Sequence, residues 1–213
     1  MQMQFLSEAA KPKSSALNSP DMDICGLGFA TYLERVKAFH GFTAPGVVLG
    51  GVMVDAARRH LPQGILFDAL CESAQCLPDA VQLLTPCTAG NGWLKIVDTG
   101  RFALCLYDKQ TGKGTRVAVD PVKLAAWSEL EAWLFKHKEK KDQNSQQILD
   151  QIKAAGPGIL KCQSVRVCAR YLKKHHKTGV MVCPICGEAY PREHGRICRA
   201  CDGKTPYTGG NAA

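Results

Sequence analysis

At 213 residues, 46% of them apolar and 22% charged, the chain can bury one good core and carry a small second module. Its longest nearly unbroken apolar run, residues 47–54, holds eight residues including two glycines, too short for a membrane span. The net charge of +8 is uneven. Residues 1–135 carry 12 Lys+Arg and 13 Asp+Glu, whereas residues 136–213 carry 15 and 6. The basic C-terminal third therefore suits nucleic acid or an acidic protein face, unless it is a solvated linker.

Residues 1–24 lack an apolar signal core and read as a polar, flexible lead-in, which points to the cytoplasm. Eleven cysteines in such a chain favour thiolate chemistry with a metal over a disulfide scaffold. From Phe29 to His40 the apolar positions Phe29, Tyr32, Leu33, Val36 and Phe39 recur at helical spacing, and Gly41 stops the helix. Pro45 suits the first turn of a second helix over residues 45–60, in which Gly46, Gly50 and Gly51 permit close approach of another backbone.

Residues 65–70 read as a buried strand, and residues 78–84 as a short helix opened by Pro78 and Asp79. Three strands follow. Residues 94–98 and 102–107 flank a Thr99-Gly100-Arg101 hairpin turn, and residues 114–119 come after a turn at 109–113. This order predicts an α+β domain over residues 25–135, with helices packed on a mixed, largely antiparallel sheet. Pro121 opens a helix with Leu124, Trp127, Leu130 and Leu134 on one stripe. A basic helical linker is expected over 136–178, containing helices at 146–155 and 162–176, before a cysteine module at 179–207 and a tail at 208–213.

Cys183-Pro184-Ile185-Cys186 and Cys198-Arg199-Ala200-Cys201 form two CxxC knuckles separated by eleven residues. Four thiolates at this spacing saturate one tetrahedral ion, so Cys183, Cys186, Cys198 and Cys201 are expected to hold a structural metal whose binding drives folding of the segment. Zinc fits the ligand type, and iron in a rubredoxin-like site is the rival. A redox role for the two pairs lacks the βαβ setting.

Residues 39–92 concentrate His40, Cys71, Cys76 and Cys87 among turn-forming glycines and prolines. The stretches FHGFTAPG at 39–46, CESAQCLPDAVQ at 71–82, LLTPCTAGNGWL at 83–94 and YDKQTGKGTRVAV at 107–119 carry a resemblance. They resemble the FmdE (FwdE) family of formylmethanofuran dehydrogenase components, whose members read FHGHxCPG, ETDACxxDAIQ and LTGCTxGKGNL before strands ending in TGK. Many members also carry a C-terminal four-cysteine ribbon.

The resemblance implies a fold like the catalytic domain of glyceraldehyde phosphate dehydrogenases, a homodimer, and association with a molybdenum or tungsten oxidoreductase of one-carbon metabolism. It also implies that His40, Cys76 and Cys87 supply ligands to a second metal or cofactor, with Asp79 and Gln82 orienting them. Phe42 and Ala44 stand where the family has a second histidine and a cysteine, which weakens that expectation.

The leading functional expectation is thus a metal-binding accessory protein of a molybdenum- or tungsten-linked redox system. A second is a zinc-ribbon adaptor for nucleic acid or protein that uses the basic third. A third is an enzyme with Cys76 or Cys87 as nucleophile and His40 as base.

Overall fold

The computed structural model describes residues 22–172 and 179–208. It divides into two compact units, Met1–Tyr171 and Leu172–Ala213. In the first, a two-residue antiparallel pair, β1 (Asp23–Ile24) and β2 (Leu27–Gly28), leads into α1 (Phe29–His40). Gly41 adopts φ +91° and closes α1 by donating to the Lys37 carbonyl, so the helix stops at the glycine expected to end it. Pro45 then opens α2 (Pro45–Arg59).

Helix α2 is the centre of the core, with its residues from Gly46 to Val54 all buried. Its glycines set the distance to its neighbours. A Cβ on Gly50 would lie 2.7 Å from the Ala80 Cβ, and one on Gly51 would lie 2.3 Å from the Tyr32 hydroxyl. The bare backbone lets α3 (Leu77–Leu84) and the Tyr32 ring seat against α2, and Tyr32 OH donates to the Val47 carbonyl at 2.8 Å.

Five strands form the sheet: β3 (Phe67–Cys71), β4 (Leu94–Ile96), β5 (Ala103–Asp108), β6 (Lys113–Val119) and β7 (Leu160–Arg166). Their spatial order is β4-β3-β5-β6-β7, with β4 parallel to β3 and every other neighbour antiparallel. Alternation sorts the side chains. Ala69, Cys71, Leu94, Leu104, Leu106, Val117 and Leu160 join the helix-side core. Leu70, Cys105, Tyr107, Arg116 and Gln163 take the alternate positions and face away from it.

Two segments differ from the sequence expectation. The strands on either side of Thr99-Gly100-Arg101 do not pair as a hairpin: each lies beside β3, on opposite edges. Residues 162–166, expected in a basic helix, belong to β7, which adds a fifth strand through seven register pairs with β6. Only Ala169–Leu172 of that segment is helical, and Lys173, Lys174, His175 and His176 lie outside the described residues.

The stripe beginning at Pro121 is broken into α4 (Pro121–Leu124) and α5 (Ser128–Leu134), while α6 (Ser145–Ala155) packs on α2. The first unit thus extends to Tyr171 and not to 135. With that boundary, the first unit holds 20 Lys+Arg against 16 Asp+Glu and the second 7 against 3, so the basic excess is shared equally. Among the described residues, no helix is long and apolar enough to cross a membrane.

Candidate functional site

In the second unit the first knuckle is the loop of a hairpin, β8 (Val180–Val182) with β9 (Ala189–Pro191). Gly187 at φ +77° turns the chain, donating to the Cys183 carbonyl while Cys183 N–H donates to Glu188. The second knuckle opens a helical turn, where the Cys201 N–H donates to the Cys198 sulfur at 3.4 Å. The four sulfurs lie within 4.8 Å of one another, and Cys186 Sγ is 3.8 Å from Cys198 Sγ.

A tetrahedron with Zn–S bonds of about 2.3 Å has S···S edges of about 3.8 Å, so the donor set and its spacing fit zinc. Without an ion the thiols cannot ionise together. Backbone N–H groups, that of Cys198 foremost, bring Cys183 down to about 6, while burial pushes Cys201 up to about 12. A divalent cation resolves this conflict by binding all four as thiolates. Tyr190 packs with Cys183 and Cys198 in one buried cluster and donates to the Gly195 carbonyl.

In the first unit the residues singled out from sequence separate into two groups at the ends of α3. At its start, His40 Nδ1–H donates to Asp79 Oδ2 at 2.6 Å. This fixes the imidazole and leaves Nε2 to act as base or ligand. The His40 ring centroid lies 5.0 Å from that of Phe42. Cys76 precedes α3 at φ +57°, a conformation sparsely used by residues with a Cβ. Its thiol rests on the first turn of α2, since a Cβ on Gly46 would come within 2.7 Å of the sulfur.

At the far end of α3, Cys87 is buried in the core with its sulfur 3.6 Å from the Phe67 carbonyl. Gln82 accepts from Ala89 N–H and helps fix the following loop. Asn91 completes that loop, accepting from Thr88 and Trp93 N–H and donating to Pro86. A helix of this length, roughly 12 Å, divides Cys76 from Cys87.

Among the described residues, the Cys183 quartet is the sole group of three or more His, Cys, Asp or Glu side chains with ligand atoms that close together. Burial raises both Cys76 and Cys87 above the usual thiol value, with Asp79 adding to the shift at Cys76. Neither thiol therefore has the lowered pKa that marks an activated nucleophile.

Two features of the first unit escaped the sequence reading. Beside Cys76 lies a cavity of about 460 Å³ walled by Trp133 and by lysines of the 136–140 run. On the sheet face away from the helices, the buried Glu72 carboxylate takes a two-pronged contact from Arg116, at 2.6 and 3.0 Å, and a third from Arg101 at 2.7 Å. The charge run suited a solvated linker or a face for nucleic acid or acidic protein, not a cavity wall, and nothing in sequence spacing links residues 72, 101 and 116.

The two units define a protein that joins a one-sided α+β sheet domain to a small zinc-binding module. The family described as "FmdE, Molybdenum formylmethanofuran dehydrogenase operon" matches residues 39–169, and "FmdE treble clef zinc finger" matches residues 174–208. The chain belongs to the FmdE family.

A solved structure of a tungsten formylmethanofuran dehydrogenase FmdE-like protein from Syntrophus aciditrophicus is 46% identical. It superposes with a TM-score of 0.81 over 89% of this chain and all of that one. A probable S-adenosyl-L-methionine-binding protein of Archaeoglobus fulgidus is 38% identical over 98 residues. That match spans 41% of this chain and about a quarter (26%) of the Archaeoglobus protein.

Proposed function

We propose that this chain is an accessory protein of a molybdenum- or tungsten-dependent one-carbon redox system, acting as a cytoplasmic homodimer beside the oxidoreductase. The observation that carries this reading is the 46% identity, across 89% of the chain, to a tungsten formylmethanofuran dehydrogenase FmdE-like protein. The site chemistry agrees with an accessory role. A zinc ion held by four cysteines has no open position for substrate, so the module stabilises or docks and does not catalyse. The working surface is then the start of α2 and α3, where the carboxylate-held His40 and the Cys76 thiol lie.

The test is removal of the chain from its host, followed by assay of molybdenum- or tungsten-dependent one-carbon oxidoreductase activity and purification on a tagged copy. Loss of that activity, and recovery of a molybdenum- or tungsten-containing enzyme with the tagged chain, is expected. Unchanged activity with no such enzyme recovered would refute the reading.

A further inference from the structure

We infer that the cavity at the start of α2 is a binding site for a small organic phosphate. The inference does not depend on the redox partner proposed above.

The cavity, about 460 Å³, is lined by Phe42 and Trp133 as aromatic walls and by Cys76 and Gly46 where the starts of α3 and α2 meet. The exposed Lys136, Lys138 and Lys140, with the neutral Thr43, Gln143 and Ser145, complete the wall. Among the described residues, no carboxylate and no imidazole lines it. A cation placed there would find one thiol as its only soft ligand and would face three ammonium groups. An anion would find the reverse.

Three details sharpen the preference. Helix α2 begins without a side-chain cap, and Pro45 has no N–H to offer. Val47 and Val48 N–H both turn back to the Ala44 carbonyl, and Gly46 N–H has no partner among the described residues, as is general for the first turn of a helix. The positive end of a 15-residue helix, with Gly46 in the cavity lining, is suited to an oxyanion.

Lys138 is held by Glu129, whereas Lys136 and Lys140 have no acidic partner among the described residues. Lys136 also occupies a place that favours glycine. It sits at φ +56° just past α5, where Lys136 N–H donates to Trp133 and His137 N–H to Ala132, the paired bonds of a Schellman turn.

Two unpaired ammonium groups and a helix start match the charge of a phosphate monoester better than that of a single carboxylate. The volume exceeds the needs of inorganic phosphate, and the Phe42 and Trp133 walls offer apolar surface to an organic body.

The test uses the full-length zinc-loaded protein, titrated calorimetrically with phenyl phosphate, inorganic phosphate and benzoate. Phenyl phosphate should bind once per chain and more tightly than either of the others, with affinity falling as salt rises. Lys136→Gly keeps the left-handed turn and removes the amine. Combined with Lys140→Ala it should weaken binding at least tenfold, while Lys37→Ala on α1 should leave it unchanged. Absence of phenyl phosphate binding at millimolar concentration would overturn the assignment. So would equal affinity for benzoate, or a loss as large in the Lys37→Ala control as in the double variant.

Discussion

Glu72 shows how a single residue couples the sheet to its solvent-facing side. It is only 6% exposed, and Arg116, foremost, holds its carboxyl below the ordinary glutamate value. A carboxylate whose folded-state pKa is depressed contributes stability that is complete above the unfolded value, about 4.3, and is lost as pH falls through the folded value. Glu72→Gln should therefore lower stability at pH 7 by roughly 2–3 kcal/mol. That is less than a fully buried broken pair would cost, because Arg101 reaches solvent. The gap between variant and wild type should close as pH drops below about 4, as read from urea unfolding across pH. A gap that stays constant with pH would show that the carboxylate's charge contributes nothing.

Of the residues in the motif stretches, the sequence made His40, Asp79, Cys76, Cys87 and Gln82 conspicuous. The structure joins the first two by a hydrogen bond and sets the third at the N-terminus of the same helix. The sequence could not disclose that Cys87 is a core thiol, or that Gln82 and Asn91 serve the loop, because those roles depend on which backbone groups a turn leaves unpaired.

At the level of elements, α2 decides the packing. Its glycines read in sequence as permission for close approach, and the contacts of Gly50 with Ala80 and Leu77 make that specific. Gly50→Val should overpack the α2–α3 contact and cost about 1–3 kcal/mol, lowering the thermal midpoint while leaving zinc content intact. A midpoint at or above that of wild type would mean that α3 can move away freely.

The bounds of α1 and α2 were legible because apolar periodicity, Gly41 and Pro45 agree on them. The partner of β4 was not, since the Thr99-Gly100-Arg101 turn signal is local and pairing with β3 is set by the crossover through α3. Strand β7 was misread for a related reason. Most of its side chains are exposed, so it lacks the alternation that marks a strand, and its backbone bonds to β6 hold it regardless.

For the whole molecule, the four-cysteine spacing foretold the second unit's chemistry, because the ion's geometry imposes the ligand pattern. The extent of the first unit was less legible, since the basic run from 136 onward looked like a linker and instead supplies α6, β7 and a cavity wall. Metal and anion chemistry are thereby separated. The zinc belongs to the cysteine module, and the cavity beside Cys76 is built for negative charge.

Metal analysis of the full-length chain, with and without Cys183→Ser and Cys201→Ser together, tests this division most directly. About one zinc per chain is expected in the wild type. None is expected in the double variant, whose first unit keeps its thermal transition. A tightly held metal ion that persists in the double variant and is lost on Cys76→Ser would contradict that division.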